Sequence, residues 1–187
     1  MTELTSDVTR AAEILRAGGV LSYPTEAVYG LGCDPRNEGA VQKLLRIKQR
    51  DPAKGLILIA ASFEQLAPYL RDIDAAMRER ILPTWPGPVT WALPARPETS
   101  SLLRGDHETL AVRVTAHPAA SALCRVFGGA LISTSANRSD QPPARTASDV
   151  IQLFGEQIDG VLDGKIGDRA NPTEIRDGRT GALLRPG

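Results

Sequence analysis

The chain has 187 residues, 42% of them hydrophobic and 24% charged, and its 22 cationic and 22 anionic side chains cancel to a formal net charge of zero. That size and balance suit one globular α/β domain with a sizeable core, while zero net charge argues against a protein that holds nucleic acid mainly through an overall positive field. Only 4% of the residues are aromatic, so the core must rest on Leu, Ile, Val and Ala.

Val8, Ala11, Ala12 and Leu15 recur at helical spacing, with Ser6 or Asp7 near the cap and Gly18-Gly19 at the end. A strand is expected over 19–23, closed by Pro24. Thr25-Glu26 follows, and then a glycine-rich stretch from Val28 to Asp34 reads as a loop in which a ligand can approach the backbone. A helix begins near Asn37, with Val41, Leu44, Leu45 and Lys48 at helical spacing. It ends in Lys48-Gln49-Arg50, and Lys54 precedes an apolar strand over 55–60. Two strands flanking a loop and a helix, with cations gathered at the strand ends, make a site for an anion.

Ser62 and Gln65 form a capping-box pattern before a short helix. A longer helix over 74–82 carries Met77 and Ile81 on one face and stops at Pro83; a rigid Trp85-Pro86-Gly87-Pro88 turn then leads into a strand over 89–93. Residues 95–108 lack any period and read as loop. In the strand over 110–115, Leu110, Val112 and Val114 alternate with Arg113 on the opposite face. Pro118 opens a helix through Phe127 that Gly128-Gly129 closes. A buried strand over 130–133 runs into Thr134-Ser135-Ala136-Asn137, a flexible loop spans 138–145, and a helix capped near Thr146 or Ser148 carries Val150, Ile151 and Phe154. A strand over 160–163, a loop over 165–171 and a hairpin of 173–176 with 182–185 complete the chain. Strands interleaved with helices give one α/β domain, residues 1–187, on a mixed, twisted sheet flanked by helices.

Each polar constellation has a plain structural alternative. Ser133 to Asn137 can present hydroxyls and N–H groups to a phosphate, or merely satisfy a polar turn. Lys48 and Arg50 can bind an anion, or only complement the helix macrodipole. Arg113 between valines calls for an acidic partner, either a bound carboxylate or an internal one such as Glu26 or Asp34. His117 reads as a helix-start residue. Cys33 and Cys124 lie far apart and read as small core residues. With His107 and His117 also apart, structural zinc and a Ser-His-Asp engine are poor fits. The first residues have no signal-peptide character and no run is long enough to span a membrane, so a reduced, cytoplasmic setting without membrane contact is expected.

Taken in order, Tyr23-Pro24-Thr25-Glu26-Ala27-Val28-Tyr29-Gly30-Leu31-Gly32, Lys48-Gln49-Arg50, Lys54-Gly55-Leu56, Trp85-Pro86-Gly87-Pro88-Val89-Thr90, Ala111-Val112-Arg113-Val114-Thr115, Ser133-Thr134-Ser135-Ala136-Asn137 and Leu184-Arg185-Pro186-Gly187 resemble the YrdC-like family, and within it the short, single-domain bacterial TsaC-type branch. The resemblance covers nearly the whole chain. It implies a nucleotidyltransferase, a threonylcarbamoyl-AMP synthase, that combines L-threonine, bicarbonate and ATP and releases pyrophosphate, for threonylcarbamoyladenosine (t6A) modification of tRNA. It further implies that Thr25 and Arg113 hold threonine, with Ser133 and Thr173 lining the same pocket, and that Lys48, Arg50, Ser135, Asn137 and Arg185 hold the nucleotide, with Lys48 and Arg50 as the catalytic cations. Mg2+ carried by the triphosphate, contact with tRNA or double-stranded RNA, and hand-over of product to the threonylcarbamoyl transferase machinery are further expectations. Asp51, where many relatives have proline, is expected to weaken the positive field around Arg50. Two rivals remain: an RNA-binding module without catalysis, disfavoured by the charge and the few aromatics, and a relative that adenylates a different carbamate.

Overall fold

A computed structural model describes residues 1–138 and 141–187; the middle of the loop expected over 138–145 lies outside the described residues. Ten strands, β1 (Glu3–Thr5), β2 (Leu21–Pro24), β3 (Tyr29–Gly32), β4 (Ile57–Ala60), β5 (Thr90–Pro94), β6 (Thr109–Val114), β7 (Leu131–Ser135), β8 (Gly160–Leu162), β9 (Ile175–Asp177) and β10 (Leu183–Arg185), join in the order β1-β8-β2-β3-β7-β4-β6-β5-β9-β10. Pairs β1·β8, β2·β8, β4·β6 and β5·β9 are parallel and the other neighbours antiparallel, so the sheet is mixed, as the interleaved pattern predicts. Among the described residues six α-helices accompany it: α1 (Val8–Arg16), α2 (Glu38–Lys48), α3 (Ala75–Ile81), α4 (Ser101–Arg104), α5 (Pro118–Phe127) and α6 (Ala147–Phe154).

Period-two alternation sends neighbouring strand residues into two separate apolar layers. Leu21, Tyr23, Ile59 and Leu131 pack with Ala11, Ala12 and Leu15 of α1 and Leu123 and Phe127 of α5 on one face. Leu31, Leu58, Val112 and Ile132 pack with Leu44 of α2, Ile81 of α3 and Phe154 of α6 on the other. The few aromatics leave both layers dominated by aliphatic side chains, as the composition requires. No described helix is long and apolar enough to cross a membrane.

The helix starts follow their capping chemistry. Asp7, Asn37 and Asp74 accept backbone N–H groups at the starts of α1, α2 and α3. Thr146 and Asp149 cap α6 reciprocally, which selects Thr146 over Ser148. At Ser62–Gln65 the expected capping box does not form among the described residues: the Ser62 side chain makes no cap bond, Gln65 Oε1 accepts the Ala61 N–H at 2.9 Å and not that of Ser62, and the segment is one 3-10 turn.

Two expectations are corrected and one element is added. The glycine-rich stretch after Val28 is strand β3, not loop, because Tyr29 to Gly32 pair with β2 on one side and Gly30 and Leu31 with β7 on the other. Residues 95–108 contain α4, started by the Ser100 hydroxyl accepting the Leu102 N–H. Strand β1, absent from the sequence reading, adds to β8 at one sheet edge; three residues are too few to show a period.

Candidate active site

Register gathers the site on one face of the sheet. Ser135 lies opposite Gly30, Ser133 opposite Ile57, and Arg113 opposite Ile59. Ile57 and Ile59 are two residues apart, so Ser133 and Arg113 flank β4 on the same side. Strand β7 extends through Thr134 and Ser135, so two residues expected in a turn are held by the sheet ladder.

The cations Lys48 and Arg50 reach this face by a backbone reversal. Residues i and i+2 of a continuous helix do not share a face. Here α2 ends at Lys48, and Gln49 takes a left-handed conformation with φ 48°. That turn brings Lys48 and Arg50 to the same cleft, about 200 Å³ in volume, with Lys54, Ser135 and Asn137. The Lys48 ammonium donates to Ser135 O at 2.7 Å, Asn137 O at 2.5 Å and Asn137 Oδ1 at 2.8 Å, so all three of its donors hold the 135–137 turn. Ser135 Oγ donates to the same Asn137 Oδ1 at 2.7 Å. Burial, together with the nearby Arg50 charge, pushes the Lys48 ammonium down to about 8. Among the described residues Arg50 donates only Nε and one N–H of Nη2, both to Gly55 O, at 3.0 and 2.8 Å, and three of its five N–H groups remain.

Arg50, Thr134 and Ser135 also line a second cleft of about 390 Å³, with Thr25, Gly30, Arg113, Ser133, Thr173 and Arg185. Here Arg113 takes the internal acidic partner that the sequence allowed. Its Nη2 meets Glu26 Oε2 at 3.2 Å, so the internal partner is Glu26, while Asp34 pairs with Arg36. Its Nη1 donates to Thr173 Oγ1 at 2.7 Å, and Thr115 Oγ1 donates to Glu26 Oε1 at 2.6 Å. Yet Arg113, 5% exposed, keeps its Nε without a partner, the sole such buried side-chain atom among the described residues. An orphaned buried donor is uncommon, and this one belongs to a side chain that lines the cleft. Burial pushes the Glu26 carboxyl up, but the Arg113 guanidinium and the Thr115 hydroxyl outweigh it and hold the group below its ordinary range.

Arg185, assigned by resemblance to the nucleotide, stands in the cleft of Arg113 and donates to Thr173 O at 3.0 Å. Burial, then the Arg50 and Arg113 charges, lower its pKa. Among the described residues none of Lys48, Arg50, Lys54 and Arg185 has an ion-pair partner. Four cations without an ion-paired carboxylate make the two joined clefts a candidate anion site. Asp51 does not neutralise them by pairing: its Oδ1 accepts the Ala53 N–H at 2.9 Å and caps a 3-10 turn. The described residues hold no cluster of three metal-ligating side chains.

Sequence reading treated Glu26 only as a partner for Arg113 and passed over Thr115. The spacing of two residues between Arg113 and Thr115 on one strand face was the available signal. His117 is the cap of α5, its Nδ1 accepting the Ala120 N–H at 3.4 Å. Cys33 and Cys124 are fully buried, and burial pushes both thiols up to about 12, so neither is a thiolate at neutral pH. A Cys33→Ala, Cys124→Ala double variant should therefore keep most of its turnover. A loss of about a hundredfold or more in folded protein, the scale of removing a nucleophile or acid–base group, would contradict this.

The family profile Sua5/YciO/YrdC, described as telomere recombination, matches residues 13–187. The chain is 56% identical over 178 residues to a protein of Nitrosococcus oceani named threonylcarbamoyl-AMP synthase, covering 95% of this chain and 96% of that one. It superposes with TM-score 0.90 and 30% identity on P. abyssi Sua5 complexed with L-threonine, covering all of this chain and 57% of that longer one. E. coli YciO superposes with TM-score 0.86 at 26% identity, covering all of this chain and 96% of that one. On the profile match over residues 13–187, with both structures superposing across its whole length, the chain belongs to the Sua5/YciO/YrdC family.

Proposed function

We infer that this chain is a threonylcarbamoyl-AMP synthase, forming L-threonylcarbamoyladenylate and pyrophosphate from L-threonine, bicarbonate and ATP, for the threonylcarbamoyladenosine modification of tRNA. The observation that carries this reading is the junction of two clefts at Arg50 and Ser135, one lined by Lys48 and Lys54, the other by Arg113 and Arg185. A synthase that joins a carbamate to an α-phosphate needs both lobes to meet at one point.

The threonine carboxylate is assigned to Arg113, with Thr25, Ser133 and Thr173 lining its lobe, and the nucleotide to Lys48, Arg50, Ser135, Asn137 and Arg185. Attack of the threonine amine on bicarbonate forms a carbamate and releases water. A carbamate oxygen then bonds to the α-phosphorus as the bond to pyrophosphate breaks. No protein nucleophile takes part, so the inert thiols are no obstacle. The protein contributes orientation and fixed positive charge against the phosphates. Arg50 supplies free N–H groups, and Lys48 positions the Ser135–Asn137 turn while adding its charge. The donor set does not build a magnesium site; a magnesium ion is taken to arrive on the phosphate oxygens and water of ATP itself. Residues 1–187 act in this reading as one domain. The product, a reactive mixed anhydride, suits direct hand-over to the threonylcarbamoyl transferase machinery.

Purified protein with all three substrates should release pyrophosphate, and omission of any one should stop it. Equal release with L-serine, or without an amino acid, would reject the threonine assignment.

A further inference from the structure

Strand β3 carries two glycines inside the sheet, where glycine costs backbone entropy and offers nothing to pack. Packing accounts for Gly32: a Cβ there would stand 1.9 Å from the Ile132 carbonyl oxygen and 2.9 Å from the Tyr23 hydroxyl oxygen. Nothing comparable holds for Gly30. Its backbone lies outside the left-handed region, so any L-residue can adopt it. A Cβ would meet Ser133 Oγ and Thr25 Cγ2, each at 3.3 Å, and Thr134 O at 3.6 Å. The first two are side-chain tips on the wall of the Arg113 cleft, which Gly30 also lines. The missing methyl is therefore space in the cleft, between Thr25 and Ser133, and not space in the core.

We propose that Gly30 is a specificity-determining residue, setting the size of the amino-acid side chain that this lobe accepts. The proposal rests on the assignment of the Thr25, Arg113 and Ser133 lobe to threonine. One methyl group's worth of room in a close-fitting pocket discriminates ligands by roughly ten- to two-hundredfold.

Calorimetric titration of Gly30→Ala with L-threonine, L-serine, free glycine and ATP tests it. Threonine affinity should fall by about tenfold or more, serine and free glycine should lose progressively less, and ATP affinity should stay within a few-fold. Thr25→Ser widens the same gap, because it keeps the hydroxyl and removes the methyl that faces Gly30. It should shift preference from threonine toward 3-hydroxynorvaline, which is longer by one methylene. Should Gly30→Ala not fold, the Thr25→Ser result decides. Equal weakening of every ligand by Gly30→Ala, or amino-acid preferences unchanged in the folded variants, overturns the proposal. Arg113→Ala separates the two failures. If it weakens threonine while preferences stay fixed in the Gly30 and Thr25 variants, Gly30 alone is misassigned. If it leaves threonine binding intact, the lobe is misassigned and the proposal falls with it.

Discussion

Replacing Lys48 with alanine should weaken ATP binding by at least ten- to a hundredfold while L-threonine affinity stays within a few-fold. A hydrogen bond from a charged donor contributes about 1.5–3 kcal/mol, roughly a ten- to hundredfold factor. Lys48 makes three, to Ser135 O, Asn137 O and Asn137 Oδ1, so its loss frees the turn that presents Ser135 and Asn137 as well as removing a charge. The free protein should also bind ATP less well as pH rises through about 8, where the buried Lys48 ammonium loses its proton, and Lys48→Met should show no such slope. The stability linkage runs the other way. The folded value lies below the ordinary 10.5, so between about 8 and 10.5 the unfolded chain binds more protons, and raising pH stabilises the fold through this group. Weaker ATP binding over that window would thus not be unfolding in disguise. Unchanged ATP affinity in Lys48→Ala, or equal loss of both ligands, would remove Lys48 from the nucleotide site.

Arg113→Ala should have two effects that a second variant can separate. It leaves the buried Glu26 carboxylate without its cation, and removing one member of a buried pair costs about 3–5 kcal/mol. It also removes the guanidinium assigned to the threonine carboxylate, so threonine binding should be lost even in protein that remains folded. Glu26→Ala added to Arg113→Ala removes the stranded charge and should recover much of the melting temperature, but not threonine affinity. Recovery of both together would make Arg113 a structural partner only. Because the folded Glu26 value is held below its ordinary 4.5, the stabilisation from its ionised form is full above that value and is lost as pH falls through the lower folded one. The double variant should lack this acid-side loss.

The sequence by itself determined the residues that carry charge and hydroxyls, and much of the scaffold beneath them. Helices α1, α2, α3, α5 and α6 were legible from apolar spacing and caps, because a helix satisfies its backbone within its own segment. Arg113 declared itself as an arginine between valines, since a guanidinium in a buried strand needs an acceptor. Tertiary structure alone decided the rest. Glycines at Gly30 and Gly32 read as loop, yet β2 and β7 fix them as a central strand, because strand pairing depends on partners distant in the chain. The left-handed turn at Gln49 that unites Lys48 with Arg50, and the choice of Glu26 over Asp34 for Arg113, are likewise absent from local pattern. Local periodicity encodes which face of an element is apolar; register across the sheet decides which polar residues meet, and that register is set by burial of the whole chain at once.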